Sequence, residues 1–424
     1  MKQVGKYPVL RKLGEGATSE VYLCNDPFNA RDVAVKVAFS GSFDDPEKGR
    51  RYRKLFVTEA SLAGKLEHPH ICQIYDAVAD EKLHYIVMEY VAGGTLEKYC
   101  RSEELLPVER IVEMAFKCTR ALEFAHKLGV THRDLKPANI LHAGGTEVKV
   151  SDFGAALIDS RDTTQVATVG SPAYMSPEQV KEQPLDHRTD IYSLGVVMYH
   201  LLTGRLPFEA ANNYSLIYQI TSVEPRPPSA LRPEVPAALD AIVLRAMAKD
   251  RVARYRHWEE FSLELAATSE RLRAEQTQQF FADSERFETL RSLAFFDQFA
   301  DAELWEVARV STWRHAGAGE VLMREGDEGD FFCVLAQGQV KVTRRGQVLG
   351  VLQAGEPFGE MAYLSKKQAK RGADVTVLED ANIISVPTAR LAQASDACRH
   401  QFDRAFMGML VERLAAANLR ISGV

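Results

Sequence analysis

The sequence predicts an α+β protein, because strand-like and helix-like patterns occupy separate stretches of the chain. Residues 1–90 contain short β-prone runs broken by Gly, Pro and Asp, whereas residues 91–265 carry apolar residues at helical spacing. Beyond Ala318 the β-prone runs return. A chain of 424 residues has room for about two or three domains. We expect a first domain at 1–265, a helical linker at 266–289 and a second domain at 290–424.

Composition and charge exclude several classes of protein. The net charge is −6, whereas a nucleic-acid-binding chain would show a basic surplus. No apolar run reaches the roughly 18–20 residues that a membrane span needs, and residues 1–10 lack the apolar core of a signal peptide. The six cysteines form no CxxC pair, which favours reduced structural thiols over a zinc or redox motif. We expect a cytoplasmic protein that neither spans a membrane nor binds nucleic acid.

The first strands enclose a glycine-rich turn. The predicted strands are Val9–Leu13, Val21–Asn25 and Val33–Ala38. Between the first two lies LGEGATSEV, from Leu13 to Val21, with glycines at Gly14 and Gly16. Glycines let backbone N–H groups approach phosphate oxygens, although such a turn alone also fits a tight hairpin. Because a strand follows it, and no helix, it is not the dinucleotide-binding fingerprint.

Lys36 ends the apolar strand that begins at Val33. A lysine buried in a strand needs a partner for its charge, because an unpaired buried charge is costly. Glu59 on the next predicted helix is the best-placed carboxylate, while Glu47 and Glu67 fall near the ends of that helix. The alternative is a surface lysine at a strand edge.

The helix-rich region contains a polar loop that carries candidate catalytic groups. The helices are predicted at Arg110–Lys127, Ile191–Leu202 and Leu239–Ala248. Between apolar segments lies HRDLKPAN, from His132 to Asn139, and the Asp-Phe-Gly of Asp152 follows Asp134 by 18 residues. That spacing suits a hairpin that brings the two acids together. A further motif, Ser176-Pro177-Glu178, follows downstream.

In this order and spacing, the motifs of residues 5–265 resemble the eukaryotic-type serine/threonine protein kinases, in the form found in bacteria. The resemblance implies a two-lobed kinase fold that uses ATP and Mg²⁺. It implies that Glu59 orients Lys36 on the α/β-phosphates, and that Asp134 accepts the proton of the substrate hydroxyl. The remaining implied roles are Mg²⁺ binding by Asn139 and Asp152, charge neutralisation by Lys136, phosphate and adenine contacts by Leu13, Gly14, Gly16, Val21 and Ala34, and hinge contacts by Glu89 and Val91.

Two departures from the family pattern are modest. Ser19 stands where a third glycine is frequent, and Ser171 stands where serine/threonine kinases more often have threonine. The resemblance also implies scaffold roles for Asp190, which would hold the catalytic loop, and for Arg254, which would pair with Glu178.

The resemblance also suggests control by phosphorylation. Arg133 precedes Asp134, and kinases with that arginine commonly pair it with a phosphate on the activation loop. Here that loop carries Thr163, Thr164 and Thr168. The basic run Lys48, Arg50, Arg51, Arg53 and Lys54 could reach the same phosphate or form a solvated helix face.

The second domain has the pattern of an antiparallel sandwich or barrel, with many short strands. The strands are predicted at Phe332–Leu335, Val340–Val342, Val348–Leu352, Val375–Leu378 and Ile383–Val386. The turns are predicted at Gln337-Gly338, Arg345-Gly346, Ala354-Gly355 and Glu379-Asp380. The chain then continues in an amphipathic helix, Phe402–Ile421, which packs on the barrel, caps a ligand or forms a homodimer seam.

Residues 290–400 resemble a cyclic-nucleotide-binding domain, a jelly-roll-like β-barrel with a C-terminal helix. The residues that carry the resemblance run from Gly326 to Leu335 and from Phe358 to Leu364, followed by Arg371-Gly372-Ala373. The resemblance implies that Gly359 and Ala373 line the ligand, that Glu360 takes the ribose 2′-hydroxyl and that Arg371 pairs with the phosphate.

Two features of this second motif depart from the family pattern. The segment after Glu360 is slightly long and holds Lys366, Lys367 and Lys370, and Asp374 stands where Ser or Thr is usual. A carboxylate at 374 could repel a phosphate or partner Arg371 in an empty site. Gly372 stands where cGMP-selective relatives often have Thr, which slightly favours cAMP over cGMP as the ligand.

We therefore expect a serine/threonine protein kinase whose activity responds to activation-loop phosphorylation and to a small-molecule effector in the barrel, cAMP or cGMP. One alternative is a kinase whose ligand-free barrel serves docking or dimerisation. Another is a catalytically idle sensor or scaffold. The sequence does not identify the protein substrate.

Overall fold

A computed structural model describes residues 2–16, 19–39, 56–62, 64–79, 83–153, 157–158, 172–275, 282–365 and 370–422. The chain divides into two compact units, Met1–Glu275 and Gln276–Val424. Helices and antiparallel sheets occupy separate parts of each unit, which confirms the predicted α+β class.

A six-stranded antiparallel sheet forms the first lobe, in the order β1-β2-β3-β4-β6-β5. Its strands are β1 (Gln3–Val4), β2 (Tyr7–Glu15), β3 (Ser19–Asp26), β4 (Arg31–Ala38), β5 (Ile74–Ala79) and β6 (His84–Glu89). In β4 the side chains of Val33, Val35 and Val37 lie in one core cluster with Tyr7 and Tyr85. Alternate β-branched residues of this kind suit a sheet with one buried face.

The strand register brings the glycine-rich turn to the lysine. Gly14 of β2 lies opposite Val21 of β3, and Val21 lies opposite Lys36 of β4. The backbone N–H of Gly16 donates to the Ser19 carbonyl at 2.8 Å, which closes the turn. The three neighbouring strands therefore place the glycine-rich turn beside the Lys36 side chain.

The second lobe is helical and carries two small two-stranded sheets. Its strands are β7 (Val130–Thr131), β8 (Ile140–Gly144), β9 (Glu147–Val150) and β10 (Leu157–Ile158). Strand β7 pairs with β10, and β8 pairs with β9. Helix α1 covers residues 56–61. The helices that follow are α2 (Val108–Lys127), α3 (Pro177–Val180), α4 (Arg188–Thr203), α5 (Asn213–Ser222), α6 (Ala237–Ala246) and α7 (Trp258–Glu275). Helix α4 is buried on nearly every side, which fits its largely apolar run from Ile191 to Leu202.

Helix α7 continues ten residues past 265, the predicted end of the first domain, to Glu275. In that extension Thr268, Ser269 and Leu272 are buried, and the Ser269 hydroxyl donates to Glu113 of α2 at 2.5 Å. Residues 266–275, predicted to be part of a linker, therefore pack as part of the first unit.

The second unit is an antiparallel sheet structure flanked by helices. Its main sheet has the order β11-β16-β13-β14, with β12 paired to β16 and β15 to β13. The strands are β11 (Thr312–Ala316), β12 (Val321–Met323), β13 (Phe331–Arg344), β14 (Gln347–Leu352), β15 (Pro357–Phe358) and β16 (Asp374–Pro387). The helices are α8 (Asp283–Ser292), α9 (Asp301–Val310), α10 (Met361–Leu364), α11 (Thr388–Leu391) and α12 (Asp396–Ser422).

Two predicted turns in this unit are wrong. Gln337-Gly338 and Glu379-Asp380 lie inside the long strands β13 and β16, where the register shifts between Leu335 and Val340. Gly338 has φ of 90°, and a Cβ there would lie 2.6 Å from the Asp380 carbonyl oxygen. The glycine serves a bulge that bends paired strands, because only a residue without a side chain fits there.

The first half of α12 packs on the unit's aromatic core. Phe402 and Phe406 are fully buried, and both rings contact Phe295 and Phe332. This contact matches the barrel-packing interpretation of the helix. None of the helices in the described ranges combines the length and apolar character needed to cross a bilayer.

Candidate functional site

Lys36 joins two carboxylates from distant parts of the chain. Its Nζ lies 2.9 Å from Oε2 of Glu59 on α1 and 2.8 Å from Oδ1 of Asp152. Glu59 is 4% exposed, whereas the Asp152 side chain is 42% exposed and open to a ligand. Of the two described carboxylates considered from sequence, Glu59 and Glu67, Glu59 is the one that contacts Lys36, and Glu47 lies outside the described residues.

The charges in this triad depend on one another. Burial alone lowers the pKa of Lys36, but Asp152 and Glu59 outweigh it, so the pKa is raised and the ammonium persists. Burial opposes ionisation of Asp152, yet Lys36 holds the pKa of that carboxyl below its ordinary value. Burial raises the pKa of Glu59, and Lys36 opposes that rise. A charged Lys36 and an ionised Asp152 suit contacts with phosphate and metal.

The catalytic loop gathers three polar side chains. Lys136 Nζ donates to Oδ2 of Asp134 at 2.8 Å. Nδ2 of Asn139 donates to the Asp134 backbone carbonyl at 2.8 Å and to its Oδ2 at 3.2 Å. Because the amide nitrogen faces Asp134, the amide oxygen of Asn139 is the atom left for a metal ion. The structure thus brings together Asp134, Lys136 and Asn139.

Buried Asp190 holds the backbone of this loop. Its carboxylate accepts the N–H of His132 at 2.7 Å and the N–H of Arg133 at 2.8 Å. Burial raises the pKa of Asp190, so these two donors are needed to hold its charge. Arg133 and Asp152 have left-handed φ values of 69° and 63°. Such strained residues persist where the surroundings over-determine them, often at functional sites.

The oxygen donors fit a hard cation. Asp152 offers a carboxylate and Asn139 an amide oxygen, the ligand types that Mg²⁺ prefers. Magnesium usually takes only one or two protein carboxylates and completes its shell with water and phosphate. The described residues contain no group of three or more His, Cys, Asp or Glu side chains placed to hold a metal ion.

The predicted hinge lies at the end of β6. Val33 of β4 pairs with Glu89, and Ala34 pairs with Met88 in the adjacent register position. The Glu89 carboxylate lies 3.0 Å from Nζ of Lys149 on β9. Lys149 also donates to the Pro69 carbonyl at 2.7 Å. The hinge is therefore tied directly to the strand that leads to Asp152. Sequence reasoning missed this link, because the partners lie 60 residues apart.

The predicted scaffold pair is fully buried. Arg254 Nη1 and Nη2 bind the two Glu178 oxygens at 2.6 and 2.8 Å. Glu178 is positioned by the start of α3, where Ser176 and Gln179 form a capping box. Gln179 also donates to the Arg133 carbonyl at 2.8 Å, which connects α3 to the catalytic loop.

Several predicted residues lie outside the described part of the chain. They are Gly154, Thr163, Thr164, Thr168, Ser171, Lys366, Lys367 and the basic run at 48–54. Their proposed roles stay predictions.

The second unit contains a cavity of about 350 Å³, a volume in the range of small-ligand sites. Four predicted ligand residues line it together: Gly359, Glu360, Arg371 and Ala373. Apolar residues of the lining include Met323, Val342, Leu349, Leu352, Phe358 and Val375.

Arg371 is prepared for an anion. The residue is 7% exposed, Nη1 donates to the Gly359 carbonyl at 3.1 Å, and buried Nη2 has no hydrogen-bond partner among the described residues. The guanidinium lies over the Phe331 ring at 4.5 Å. A Cβ at Gly359 would lie 2.7 Å from Nη1. Burial lowers the pKa of Arg371, and Cys333, Asp330 and Asp327 offset only part of that effect. A buried donor without a partner is costly unless a ligand satisfies it.

Asp374 does not take the role considered from sequence. Its Oδ1 accepts the Glu325 N–H at 2.7 Å, and it is absent from the cavity lining. The suspected pairing with Arg371 is therefore not seen. Glu360 instead pairs with Arg413 of α12, whose Nη1 lies 3.1 Å from Oε1. Helical spacing places Arg413 on α12 but gives no signal for this contact.

Comparisons with known proteins identify two domains in this chain. A family model for the protein kinase domain matches residues 7–259, and one for the cyclic nucleotide-binding domain matches residues 313–397. A probable serine/threonine-protein kinase of Streptomyces coelicolor is 41% identical over 271 residues, covering 62% of this chain and 40% of that protein. The serine/threonine-protein kinase PknB of Mycobacterium tuberculosis is 42% identical over 258 residues, covering 59% and 41%.

A similar relative from Clostridium acetobutylicum, also named as a probable serine/threonine-protein kinase, is 38% identical over 263 residues and is covered over 39% of its length. The chain thus spans about two fifths of the length of the curated relatives it matches. The kinase match alone covers more than half of the chain. The chain belongs to the protein kinase family and carries a cyclic nucleotide-binding domain after its kinase domain.

Proposed function

We propose that this chain transfers the γ-phosphate of ATP to serine and threonine hydroxyls of proteins. The observation that carries the proposal is the contact of Lys36 with both Glu59 and Asp152. Phosphoryl transfer depends on positioning and charge neutralisation, and an assembled lysine–glutamate pair with an adjacent metal-binding aspartate supplies both. The Ser/Thr class follows from the Leu135-Lys136-Pro137 form of the loop and from the named relatives.

Each group has a distinct part in this mechanism. Lys36, held by Glu59, binds the α/β-phosphates, and the turn from Leu13 to Val21 covers them. Asp152 and Asn139 would hold Mg²⁺, which when bound would neutralise charge on the phosphates. The hinge backbone at Glu89 and Val91 would bind the adenine by hydrogen bonds, and Ala34 would pack against the adenine ring. Asp134 receives the substrate proton while Lys136, 2.8 Å away, balances charge on the transferring group.

Phosphorylation of Thr163 or Thr164 is part of the proposal, with Thr168 as a further site. A phosphate there adds roughly −2 charge, which Arg133 would pair. After incubation of the purified chain with Mg-ATP, a phosphosite map should show phosphoserine or phosphothreonine, including this loop. Protein expressed with Asp134→Ala should carry no phosphate there, and persistent phosphate in that variant would count against autophosphorylation.

We further propose that the cavity of the second unit binds a cyclic nucleotide, with cAMP favoured, and that the bound nucleotide modulates the kinase. The unpartnered Nη2 of buried Arg371 supports this, because a cyclic phosphate supplies the missing acceptor.

We also propose a cytoplasmic location. The six cysteines are all free and buried, and a reducing compartment such as the cytoplasm suits such thiols.

A homodimer is a secondary possibility carried by α12. This helix exposes Met407, Leu410 and Val411 on its surface. The molar mass in solution tests it, and a monomer at all concentrations would reject it.

Replacing Arg371 should abolish binding of the nucleotide. We expect Arg371→Ala to weaken cAMP binding about 100-fold or more, because it removes a desolvated charge partner. Isothermal titration checks this. The matched control is Arg390→Ala, which removes an exposed arginine of α11 outside the cavity lining and should bind like the parent. Equal binding by Arg371→Ala and the parent would reject the phosphate role of Arg371.

A further inference from the structure

Glu360 already has a partner in the structure. Its side chain is 16% exposed, and Oε1 lies 3.1 Å from Nη1 of Arg413. A carboxylate with so little access to water needs a compensating cation or donor. Arg413 of α12, 53 residues further along the chain, supplies that cation.

Arg413 makes a second contact with the same wall of the cavity. Its Nη2 donates to the Pro357 carbonyl at 3.2 Å, and its side chain lines the cavity beside Glu360. Pro357 begins the short strand β15, and Glu360 precedes α10. One guanidinium therefore ties the middle of α12 to two points of the segment that contains the ligand motif.

This arrangement has a consequence for ligand choice that rests on the proposed function. A ribose hydroxyl donates its hydrogen bond to a carboxylate, as the guanidinium does. A nucleotide with a 2′-hydroxyl must therefore share or displace the Arg413 contact, while a 2′-deoxy nucleotide leaves it intact.

We propose that Arg413 competes with the ligand's ribose hydroxyl for Glu360, and so sets how strongly the cavity distinguishes ribonucleotides from 2′-deoxyribonucleotides. Occupancy by a ribonucleotide also loosens the second anchor of α12 at Pro357. Arg413 is thus a specificity-determining residue of the cavity, although it lies outside the sequence motif.

The test compares cAMP and 2′-deoxy-cAMP, and the corresponding cGMP pair, by titration calorimetry on the whole chain. In the parent protein the two members of a pair should bind within about threefold of each other. In Arg413→Gln the carboxylate of Glu360 is free for the ribose hydroxyl. The ratio of the affinity for the ribonucleotide to that for its 2′-deoxy analogue should therefore increase about tenfold, since hydrogen bonds to charged groups are among the stronger ones. Loss of the positive charge of Arg413 should weaken the binding of both anionic nucleotides equally. The ratio of their affinities therefore reports only the competition for Glu360.

The matched control is Arg404→Gln, which removes an exposed arginine of the same helix outside the cavity lining. It should leave the ratio unchanged. An unchanged ratio in Arg413→Gln, or a fall in that ratio, would overturn the proposal, because Arg413 would then have no role or would contact the ribose directly.

A second readout needs no ligand. Amide hydrogen exchange in residues 407–413 should increase in Arg413→Gln and, to a smaller extent, in Glu360→Gln, because the first change removes both contacts of the guanidinium and the second weakens only the contact with residue 360. If neither cAMP nor cGMP binds the parent protein, the cyclic-nucleotide proposal fails. The hydrogen-exchange result still shows whether the Arg413–Glu360 contact stabilises α12. Parent-like exchange in both variants would reject that contact.

Discussion

Asp134→Asn should lower the rate of phosphoryl transfer by about 10²–10⁴-fold, the range typical of a lost general base. The substitution keeps the shape of the side chain but removes the carboxylate that accepts the substrate proton. It also removes the charge that holds Lys136 Nζ at 2.8 Å. The triad of Lys36, Glu59 and Asp152 is untouched, so the KM for ATP should stay within about threefold.

Steady-state kinetics with Mg-ATP and a protein acceptor measure this effect. The matched control is Asp32→Asn, an exposed aspartate at the start of β4 that should leave the rate unchanged. A drop of less than tenfold in Asp134→Asn, with Asp32→Asn at parent level, would remove Asp134 from the role of base.

Arg254→Leu should have the largest effect on stability. The pair with Glu178 is fully buried, and Arg254 also donates to the backbone carbonyls of Ala248 and Arg188. Removing one partner of a buried pair leaves an uncompensated charge and costs about 3–5 kcal/mol. We expect the unfolding temperature of the first unit to fall by about 10 °C.

Calorimetry on the whole chain measures this prediction. Arg256→Leu, which replaces an exposed neighbour, is the matched control and should change stability by less than about 0.5 kcal/mol. The double variant Glu178→Met/Arg254→Leu should recover part of the loss, since two apolar groups leave no buried charge. A single variant as stable as the parent would show that the pair is not structural.

Local patterns predicted the residues that meet in the kinase site. Lys36 in an apolar strand required a carboxylate, and the structure places the expected Glu59 against it, whereas the second contact, with Asp152, was not predicted. The helices α2 and α4 contain the predicted apolar runs, because burial follows helical spacing, and α6 ends at Ala246, two residues before the predicted end. These helices and the need of Lys36 for a partner depend on residues close together in the sequence, and hydrophobic periodicity reports on such local patterns.

Features that depend on long-range pairing could not be predicted. Gly338 suggests a turn by itself, but its opposite strand at Asp380 makes it a bulge. The charged residues after 265 suggest a linker, but contacts with Glu113 of α2 fix them as part of α7. Arg413 meets Glu360 only through tertiary packing. In each case the deciding partner lies 40 or more residues away.

The most direct test of the account is the autophosphorylation rate of the purified full chain in Mg-ATP, titrated with cAMP and in parallel with cGMP. The account predicts phosphorylation on serine or threonine at a rate that shifts with one nucleotide, and no shift in Arg371→Ala. Absence of phosphorylation under all these conditions would contradict the kinase activity. Phosphorylation indifferent to both nucleotides would contradict control through the Arg371 cavity.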